Sequence, residues 1–351
     1  MKILVPCAGR SSRYPNMPPK WLLPDQEGVP MVVRAVEKLK SDPADLVFTY
    51  LAEHEQKFSV RAGLVRAFGP QVNTVLLDAP TRSQSETVAE TLRRLNIDGP
   101  FLVKDSDNTF ELDEIAWTTS YITVASLNDF EQINPRNKSY VTIDQDDFVT
   151  SIREKQVISE HFSIGGYFFR SAASFLKAFD ELSRAASVSV SELYISEIVS
   201  YLLLNGEPFK MRRAQGYMDW GTIHEWRKKL ESRRLFILSV DGFLFQRGSH
   251  YFDPPFSATA TNPVAIDAAR QLHATGHKLI YLSIRPYSLE SETRAAIAAA
   301  GLPEGPLMME ADVTQWTLVT APSPSLPFRT CRAIEVVPDD EHMIEKLIDL
   351  N

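Results

Sequence analysis

The chain contains 351 residues, more than one hydrophobic core usually supports, so its length predicts two domains. Hydrophobic residues make up 44% of the chain and charged residues 23%, which is typical of a soluble globular protein. The net charge of -8 argues against nonspecific nucleic-acid binding, which needs a basic footprint. Any phosphate-bearing partner must therefore meet a local basic site.

Cysteine content and hydropathy indicate a cytoplasmic protein. Cys7 and Cys331 fall in different predicted domains and inside hydrophobic strands, so we expect neither a disulfide nor a metal cluster. No apolar run approaches the ~18–20 residues of a membrane span. The segment Met1–Pro6 is too short for a signal peptide and is predicted to be the first strand, so we expect no membrane partner.

Apolar runs of strand length alternate with amphipathic stretches, which is the pattern of βαβ units and a mostly parallel sheet. The first predicted elements are strands at Lys2–Pro6, Asp45–Leu51, Thr74–Leu77 and Phe101–Lys104, and helices at Pro30–Lys40 and Ser85–Leu95. Ser83, followed three residues later by Glu86, predicts a capping box at the start of the second helix. The polar region Asn128–Asp147 predicts loops and short strands, and two longer strands are predicted at Val149–Lys155 and Ser163–Arg170.

A charged helix is predicted at Glu225–Arg234, and a fresh hydrophobic strand begins at Leu235. We therefore predict domains at residues 1–231 and 232–351. The second domain repeats the βα order, with strand Leu235–Val240, helix Asn262–Thr275, strand Lys278–Ser283, helix Leu289–Ala300 and strand Ala333–Val337. The predicted fold class is α/β throughout.

A turn of small residues with basic side chains nearby follows the first strand. Ala8, Gly9 and Ser11 would let backbone N–H groups approach phosphate oxygens, and Arg13 and Lys20 would supply the charge that a triphosphate needs. Small residues after a strand more often form a plain turn, and a single lysine is usually solvated. The turn by itself is therefore a weak signal.

Two predicted strands run into acidic turns, at Asp105–Asn108 and at Ser239–Gly242. A carboxylate at the carboxyl end of a strand points into the crevice where open α/β sheets bind ligands, and a closely spaced pair can hold a hard cation against a phosphate. Metal binding is the preferred interpretation for Asp107. For Asp105, metal binding and simple capping of the turn both stay open.

The order of these motifs resembles the sugar-phosphate nucleotidyltransferase superfamily, which includes the cytidylyltransferases for phosphocholine-like substrates. The matching segments are an Ala-Gly-x-x-x-Arg turn at residues 8–13, Pro19–Pro24, Pro30-Met31, Gln84–Thr87, Asp107-Asn108, Glu154-Lys155, Gly165–Tyr167 and Asp219–Thr222. The resemblance covers about the first 230 residues. It implies a Rossmann-like mixed sheet with helices on both faces.

The resemblance also implies roles for individual residues. The implied nucleotide-binding residues are Ala8, Gly9, Ser11, Gln84, Ser85 and Asp105, with Gln84 and Ser85 beside the base. Arg13 and Lys20 would hold the phosphates and neutralise charge on the pyrophosphate leaving group, and Lys155 would bind the acceptor's phosphate. Asp107 and Asp219 would meet over one Mg²⁺.

Departures from the family pattern concern the substrate-binding loops. Ser11 replaces the glycine common in the signature turn, Gln156 replaces the proline that often follows Glu-Lys, and Thr81-Arg82-Ser83 replaces a glycine-rich stretch. The nucleotide base and the acceptor are therefore left open by the sequence.

The second domain resembles the haloacid dehalogenase superfamily in its motifs at Phe236–Leu244, Leu279–Pro286 and Val337–Asp340. In that family a strand-end aspartate attacks phosphate, and a second aspartate two positions later acts as acid and base. Here the attacking position is Ser239, and no lysine occurs between Lys278 and Lys346. We therefore predict a degenerate site without phosphatase activity. Its residues are Ser239, Asp241, Ser283, Arg329 and Asp340, with Arg329 in place of the lysine that the family's third motif requires.

The favoured hypothesis is a Mg²⁺-dependent enzyme that joins a nucleoside monophosphate from a nucleoside triphosphate to a sugar phosphate or a similar phosphorylated small molecule and releases pyrophosphate. The nucleotide-linked product is expected to serve surface glycan synthesis. One alternative is a bifunctional nucleotidyltransferase and phosphatase, and another is a nucleotide- or phosphosugar-binding regulator without catalysis. The expected partners are the two substrates, without nucleic acid, and the protein could form a homo-oligomer.

Overall fold

The structure is a computed structural model that describes residues 1–11, 13–116, 118–130, 135–185, 192–312, 314–326, 329–337, 340 and 342–348. The chain divides into two compact units, Met1–Glu225 and Trp226–Asn351. The division falls inside the helix predicted at Glu225–Arg234. The predicted domain boundary after residue 231 stays a prediction.

The first unit alternates strands and helices along the chain. Its strands are β1 (Lys2–Pro6), β2 (Leu46–Leu51), β3 (Asn73–Leu77), β4 (Phe101–Lys104), β5 (Asn108–Glu111), β6 (Ser120–Ser126), β7 (Ser139–Ile143), β8 (Val149–Glu154), β9 (His161–Phe169), β10 (Phe209–Arg213) and β11 (Gln215–Asp219). Its helices are α1 (Met31–Glu37), α2 (Ala52–Phe58), α3 (Val60–Phe68), α4 (Gln84–Arg94), α5 (Ala172–Ala185), α6 (Ile195–Leu204) and α7 (Ile223–Glu231), the last of which crosses the division between the units.

The main sheet of the first unit has mixed strand directions. Its order is β10-β6-β9-β4-β1-β2-β3, with β7 pairing β8 and β9 at its side. Neighbours among β4, β1, β2 and β3 are parallel, whereas β9 runs antiparallel to both β4 and β6. A separate antiparallel ribbon joins β11 to β5. The predicted mixed α/β sheet is confirmed.

Hydrophobic cores cover both faces of this sheet. In β1, Ile3 and Val5 belong to one core together with residues of α1 and α3. Leu4 belongs to the other core, with residues of α4, α5 and α6. Successive side chains of a strand point to opposite faces, so this division places helices on both faces of the sheet, as predicted.

The start of α4 differs in detail from the predicted capping box. Ser83 is the N-cap, and its Oγ accepts a hydrogen bond from the Glu86 N–H at 3.2 Å. The Glu86 carboxylate accepts from the Arg82 N–H, one residue before the position that a capping box requires. Only the serine half of the predicted capping box is therefore present, because the Glu86 carboxylate is engaged by the Arg82 N–H instead of the Ser83 N–H.

The second unit contains a smaller parallel sheet. Its elements are β12 (Leu235–Ser239), α8 (Pro263–Ala274), β13 (Lys278–Leu282), α9 (Glu290–Ala299), β14 (Leu307–Met308) and α10 (Met343–Ile348), with strand order β12-β13-β14. No helix in the described parts of the chain has the length and apolarity needed to cross a membrane.

The strand predicted at Ala333–Val337 is wrong, since no strand is formed over these described residues. Ile334 and Val336 still pack against the core of the second unit, whereas Val337 is exposed. Alternating hydrophobicity predicted which side chains face the core, but a strand also needs a backbone partner, and no such pairing forms here. Pro338 and Asp339 of the predicted acidic motif lie outside the described residues.

Candidate active site

The turn after β1 has the open backbone that a phosphate needs. Ala8 is buried, whereas Gly9 is exposed and has open space where a Cβ would stand. Ser11 adopts a left-handed conformation with φ of 48°, and its Oγ accepts a hydrogen bond from the Lys20 N–H at 3.2 Å. The serine that replaces the expected glycine therefore keeps a glycine-like backbone and also positions the lysine segment.

Tyr14 connects this turn to the distant segment that follows β11. Its side chain is buried, and its hydroxyl contacts the carbonyl oxygens of Trp220 and of Thr222, the latter at 2.8 Å. Burial raises the pKa of Tyr14, and nearby carboxylates including Asp107 raise it further. Tyr14 therefore remains a neutral hydroxyl that ties together the two segments carrying the predicted phosphate and metal residues.

Asp107 and Asp219 come together across the ribbon of β5 and β11. Asp219 stands opposite Asn108 in this pairing. A Cβ placed on Gly221 would lie 3.1 Å from Asp219 Oδ1, 3.4 Å from Asp107 Oδ2 and 3.9 Å from Arg13 Nη1. Glycine at this position therefore leaves a small space on which two carboxylates and one guanidinium converge.

A lysine is paired with each of these carboxylates. Lys20 donates to Asp107 Oδ2, and Lys138 donates to Asp219 Oδ2 and, at 2.9 Å, to the Tyr217 hydroxyl. Burial raises the pKa of Asp107, but the ammonium groups of Lys20, Lys104 and Lys138 together outweigh burial and hold that pKa below its usual range. The crevice is therefore lined by alternating negative and positive charges.

A third lysine fastens the acidic turn from inside the protein. Lys104 is fully buried, and its Nζ donates to the carbonyl oxygens of Asp105 and Asn108, both at 2.8 Å, and to Asn108 Oδ1 at 2.6 Å. Its ammonium also lies 4.7 Å from the ring centroid of Phe110. Because Lys104 binds both ends of the turn, it fixes the direction in which the intervening carboxylates point.

Asp105 belongs to the wall of the crevice formed with α4 and β9. Gln84 Nε2 donates to Asp105 Oδ1. Gly165 has φ of 80°, and a Cβ there would lie 2.1 Å from Asp105 Oδ2, so this approach requires glycine. Burial, together with the negative charge of Asp107, raises the pKa of Asp105 to about 6. Gln84 and Asp105 thus form one hydrogen-bonded unit on the wall of the crevice.

Ser85 and Lys155 have other partners. Ser85 is fully buried and donates to the Leu193 carbonyl oxygen at 2.6 Å. Lys155 Nζ donates to the Tyr194 hydroxyl at 2.7 Å and lies 4.5 Å from that ring's centroid. The Lys155 N–H donates to the Lys138 carbonyl oxygen at 2.8 Å, so these two lysines are neighbours across the pairing of β7 with β8.

The donor set at Gly221 fits a magnesium ion. The Asp107 and Asp219 side chains are 15% and 19% exposed, so both can be reached from solvent. Mg²⁺ usually takes one or two protein carboxylates and completes its shell with substrate phosphate and water. No group of three or more histidine, cysteine or carboxylate side chains is arranged around a metal position within the described residues. Two carboxylates facing one small space therefore suit a metal that arrives with a phosphate.

In the second unit, three of the predicted site residues, Ser239, Asp241 and Ser283, come together around an internal ion pair. Asp241 Oδ2 accepts from Ser283 Oγ at 2.7 Å and from the Ile284 N–H at 3.2 Å. Asp241 Oδ1 accepts from Arg285 Nε at 2.8 Å. Ser239 Oγ donates to the Asp241 carbonyl oxygen at 2.9 Å. The hydroxyl at the nucleophile position is thus engaged with backbone.

Arg329 and Asp340 have other surroundings. Arg329 is exposed, and the cation that pairs with Asp241 is Arg285. Asp340 pairs with Lys346 and accepts from the His342 N–H at 3.0 Å, close to the start of α10. The role predicted for Arg329 as substitute for the family's lysine stays a prediction, but its charge is not needed to balance Asp241.

Sequence reasoning missed Lys104, Lys138 and Arg285. Lys104 had a local signal, because a lysine at the end of the apolar run Phe101–Val103 is unusual for a buried strand. Lys138 lies in a polar segment without a distinguishing pattern. Arg285 follows Ser283 in the motif that was recognised, but its partner could not be inferred from spacing.

Comparison with known proteins identifies the fold of the first unit. No protein-family model matches the chain, and no curated protein sequence matches it. A nucleoside-diphosphate-sugar pyrophosphorylase from Vibrio cholerae RC9 superposes with a TM-score of 0.55 and 22% identity, over 65% of this chain and 99% of its own. The inositol-1-phosphate CTP transferase from T. maritima superposes with a TM-score of 0.50 and 12% identity, over 64% of this chain and 90% of its own. The first unit therefore has the nucleotidyltransferase fold, as predicted.

Proposed function

We propose that the first unit is a Mg²⁺-dependent nucleotidyltransferase that joins a nucleoside monophosphate to a sugar phosphate or a similar phosphorylated acceptor. The observation that carries this proposal is the convergence of Arg13, Asp107 and Asp219 on the space at Gly221, with Lys20 on Asp107. This set lies on a fold shared with a nucleoside-diphosphate-sugar pyrophosphorylase and an inositol-1-phosphate CTP transferase.

In the proposed reaction, an acceptor phosphate oxygen attacks the α-phosphorus of the triphosphate. The bond from the α-phosphorus to the bridging oxygen breaks, and its electron pair leaves with pyrophosphate. Arg13 and Lys20 balance the charge that grows on this leaving group. Lys155 holds the acceptor's phosphate, which lowers the repulsion between two anions that must meet.

Asp107 and Asp219 would hold the magnesium ion. When bound, the ion supplies positive charge at the phosphate oxygens and helps to align them. Tyr14 keeps the segments of Arg13 and Asp219 in register, because its hydroxyl spans from one to the other. Lys104 holds the backbone around Asp107 so that this carboxylate faces the crevice.

For the second unit we propose a role in stability, assembly or ligand binding, without phosphatase activity. Ser239 has no carboxylate with which to form a phosphoenzyme, and Asp241 is engaged by Arg285. We place the enzyme in the cytoplasm, where nucleoside triphosphates are made. Its nucleotide-linked product would supply surface glycan or lipid-headgroup assembly.

A pyrophosphate-release screen tests the proposed function. Each of the four ribonucleoside triphosphates and dTTP is combined with sugar 1-phosphates, polyol phosphates and amino-alcohol phosphates, with Mg²⁺ present. We expect release from one triphosphate and one acceptor class, and none when the acceptor or the metal is omitted. Absence of release from every pair, in a protein that still binds triphosphate, would favour the non-catalytic alternative.

A further inference from the structure

Lys138 is the least expected member of the crevice. Its side chain is only 9% exposed, and its ammonium pairs with Asp219. The ammonium also lies 5.5 Å from the ring centroid of Tyr217 and 5.7 Å from that of Phe162. Lys138 is therefore a largely buried lysine of the crevice wall, held near two aromatic rings and beside a proposed metal ligand. It is not a solvated surface charge.

Both proposed metal ligands are paired with a lysine in the absence of any ligand. Lys20 pairs with Asp107 and Lys138 pairs with Asp219, and the guanidinium of Arg13 reaches the same space at Gly221. A divalent cation that entered alone would meet the ammonium groups of Lys20 and Lys138 on the carboxylates it needs. A phosphate that entered alone would have to displace the carboxylates of Asp107 and Asp219 from the two lysines that it needs. Each ligand is therefore disfavoured by itself.

The two ligands together remove both obstacles. A metal that binds Asp107 and Asp219 releases the two lysines, and phosphate oxygens can then accept hydrogen bonds from those lysines. Lys104 does not take part in this exchange, because its three donor contacts hold the backbone and the side chain of the acidic turn.

We propose that Lys20 and Lys138 act as internal counter-cations, which leave their carboxylates for substrate phosphate when the metal arrives. Metal and phosphate then bind with positive cooperativity, because each removes the competitor of the other. This inference rests on the proposed function and adds Lys138 to it as a phosphate-binding residue. Since Lys138 is paired through its backbone with Lys155, it acts on the acceptor side, whereas Lys20 acts on the nucleotide side.

The test measures binding without turnover. Mn²⁺ serves as a paramagnetic substitute for Mg²⁺, and the free ion is counted by electron paramagnetic resonance in a buffer without phosphate. Inorganic phosphate and pyrophosphate binding are measured by calorimetry in a chelator-containing, metal-free buffer. The variants are Lys138→Met, which removes the ammonium and keeps much of the apolar stem, and Lys38→Met as control. Lys38 pairs with Glu111 on a more exposed surface of the same unit.

We expect Lys138→Met to bind Mn²⁺ alone at least tenfold more tightly than the wild type, because Asp219 is released. We expect the same variant to bind phosphate or pyrophosphate at least fivefold more weakly in the absence of metal. These opposite changes are not expected from a lysine that only stabilises the fold. The Lys38→Met control should change neither affinity by more than twofold.

A second variant protects the test against misfolding of the first. Asp219→Asn keeps the shape of the side chain and removes its charge. Phosphate then no longer competes with the Asp219 carboxylate for Lys138. We expect metal-free phosphate binding to tighten at least threefold in Asp219→Asn. The proposal is overturned if folded Lys138→Met binds Mn²⁺ no more tightly than the wild type, or if Asp219→Asn does not strengthen phosphate binding.

This outcome is separable from the fate of the proposed function. If the binding changes occur but no pair of substrates releases pyrophosphate, the lysine exchange stands and the transferase proposal fails. If pyrophosphate is released and the binding changes are absent, the transferase proposal stands and the exchange fails.

Discussion

Both units place an aspartate near the carboxyl end of a parallel strand, but the two sites treat that acid differently. Asp107 follows β4, is 15% exposed, and is paired with the flexible ammonium of Lys20. Asp241 follows β12, is 1% exposed, and is paired with Arg285, itself 4% exposed. An aspartate at a strand end can therefore remain accessible to solvent or become part of the interior, according to its partner.

The difference between lysine and arginine is the reason that we propose exchange for the pairing of Asp107 and not for that of Asp241. Arg285 donates through Nε to Asp241 and through Nη2 to Thr259 at 2.9 Å, and its guanidinium lies 5.5 Å and 5.6 Å from the rings of Phe245 and Phe256. A planar guanidinium held at several points loses all these contacts if it moves. Lysine binds through one rotatable ammonium, which can turn to another anion.

The largest effect should come from breaking the buried pair of the second unit. Arg285→Met leaves Asp241 charged and without its main partner, so we expect a loss of about 3–5 kcal/mol in the free energy of unfolding of that unit. Denaturant titration of the full chain, followed by tryptophan fluorescence and circular dichroism, measures this loss. Arg294→Met is the matched control, because it breaks the exposed pair with Glu290 on α9 and should cost less than ~1 kcal/mol. Equal costs for the two variants would contradict the contrast between the units.

Removing either proposed metal ligand should be the next largest effect. Asp107→Asn and Asp219→Asn should each lower pyrophosphate release by about a hundredfold or more, since loss of one charge-stabilising group at a reacting centre costs ~10²–10³ in rate. Steady-state assays at saturating Mg²⁺ measure the change, with exposed Asp98→Asn as control. Near-native turnover in both site variants would show that these carboxylates do not hold the metal.

The two sequence-predicted lysines should separate by substrate, with effects of about tenfold each, which corresponds to ~1.4 kcal/mol. Lys20→Met should mainly impair use of the triphosphate, because Lys20 lies on Asp107 beside the nucleotide turn. Lys155→Met should mainly raise the KM for the acceptor. Kinetics with each substrate varied in turn measure both changes. The same pattern in both variants would contradict the assignment of one lysine to each phosphate.

The smallest expected effect concerns phosphatase activity. The full chain should hydrolyse p-nitrophenyl phosphate no faster than buffer with Mg²⁺, and Ser239→Asp should not restore activity. The restored carboxylate would lie beside Asp241, whose oxygens already accept from Ser283 and Arg285. Hydrolysis by the wild type that is abolished by Asp241→Asn would make the second unit a catalyst and support the bifunctional alternative.

The sequence determined most of the local architecture. The bounds predicted for the strands at Lys2–Pro6 and Phe101–Lys104 are those of β1 and β4, because apolar runs between polar turns encode strands by composition and length. It also placed Asp107 and Asp241 at strand ends, which is a property of neighbouring residues in the chain. Both kinds of inference depend on residues within about ten positions of one another.

Tertiary structure alone decided the partners of those acids. Lys138 pairs with Asp219 although the two residues lie 81 positions apart in the chain, and no spacing or periodicity relates them. The failure of the strand predicted at Ala333–Val337 has the same cause, since strand formation requires a distant backbone partner. Electrostatic and backbone pairing depends on distance in space, whereas a sequence pattern reports only distance along the chain. For this reason the fold class and the positions of the acids could be predicted from the sequence, and the cations that pair with those acids could not.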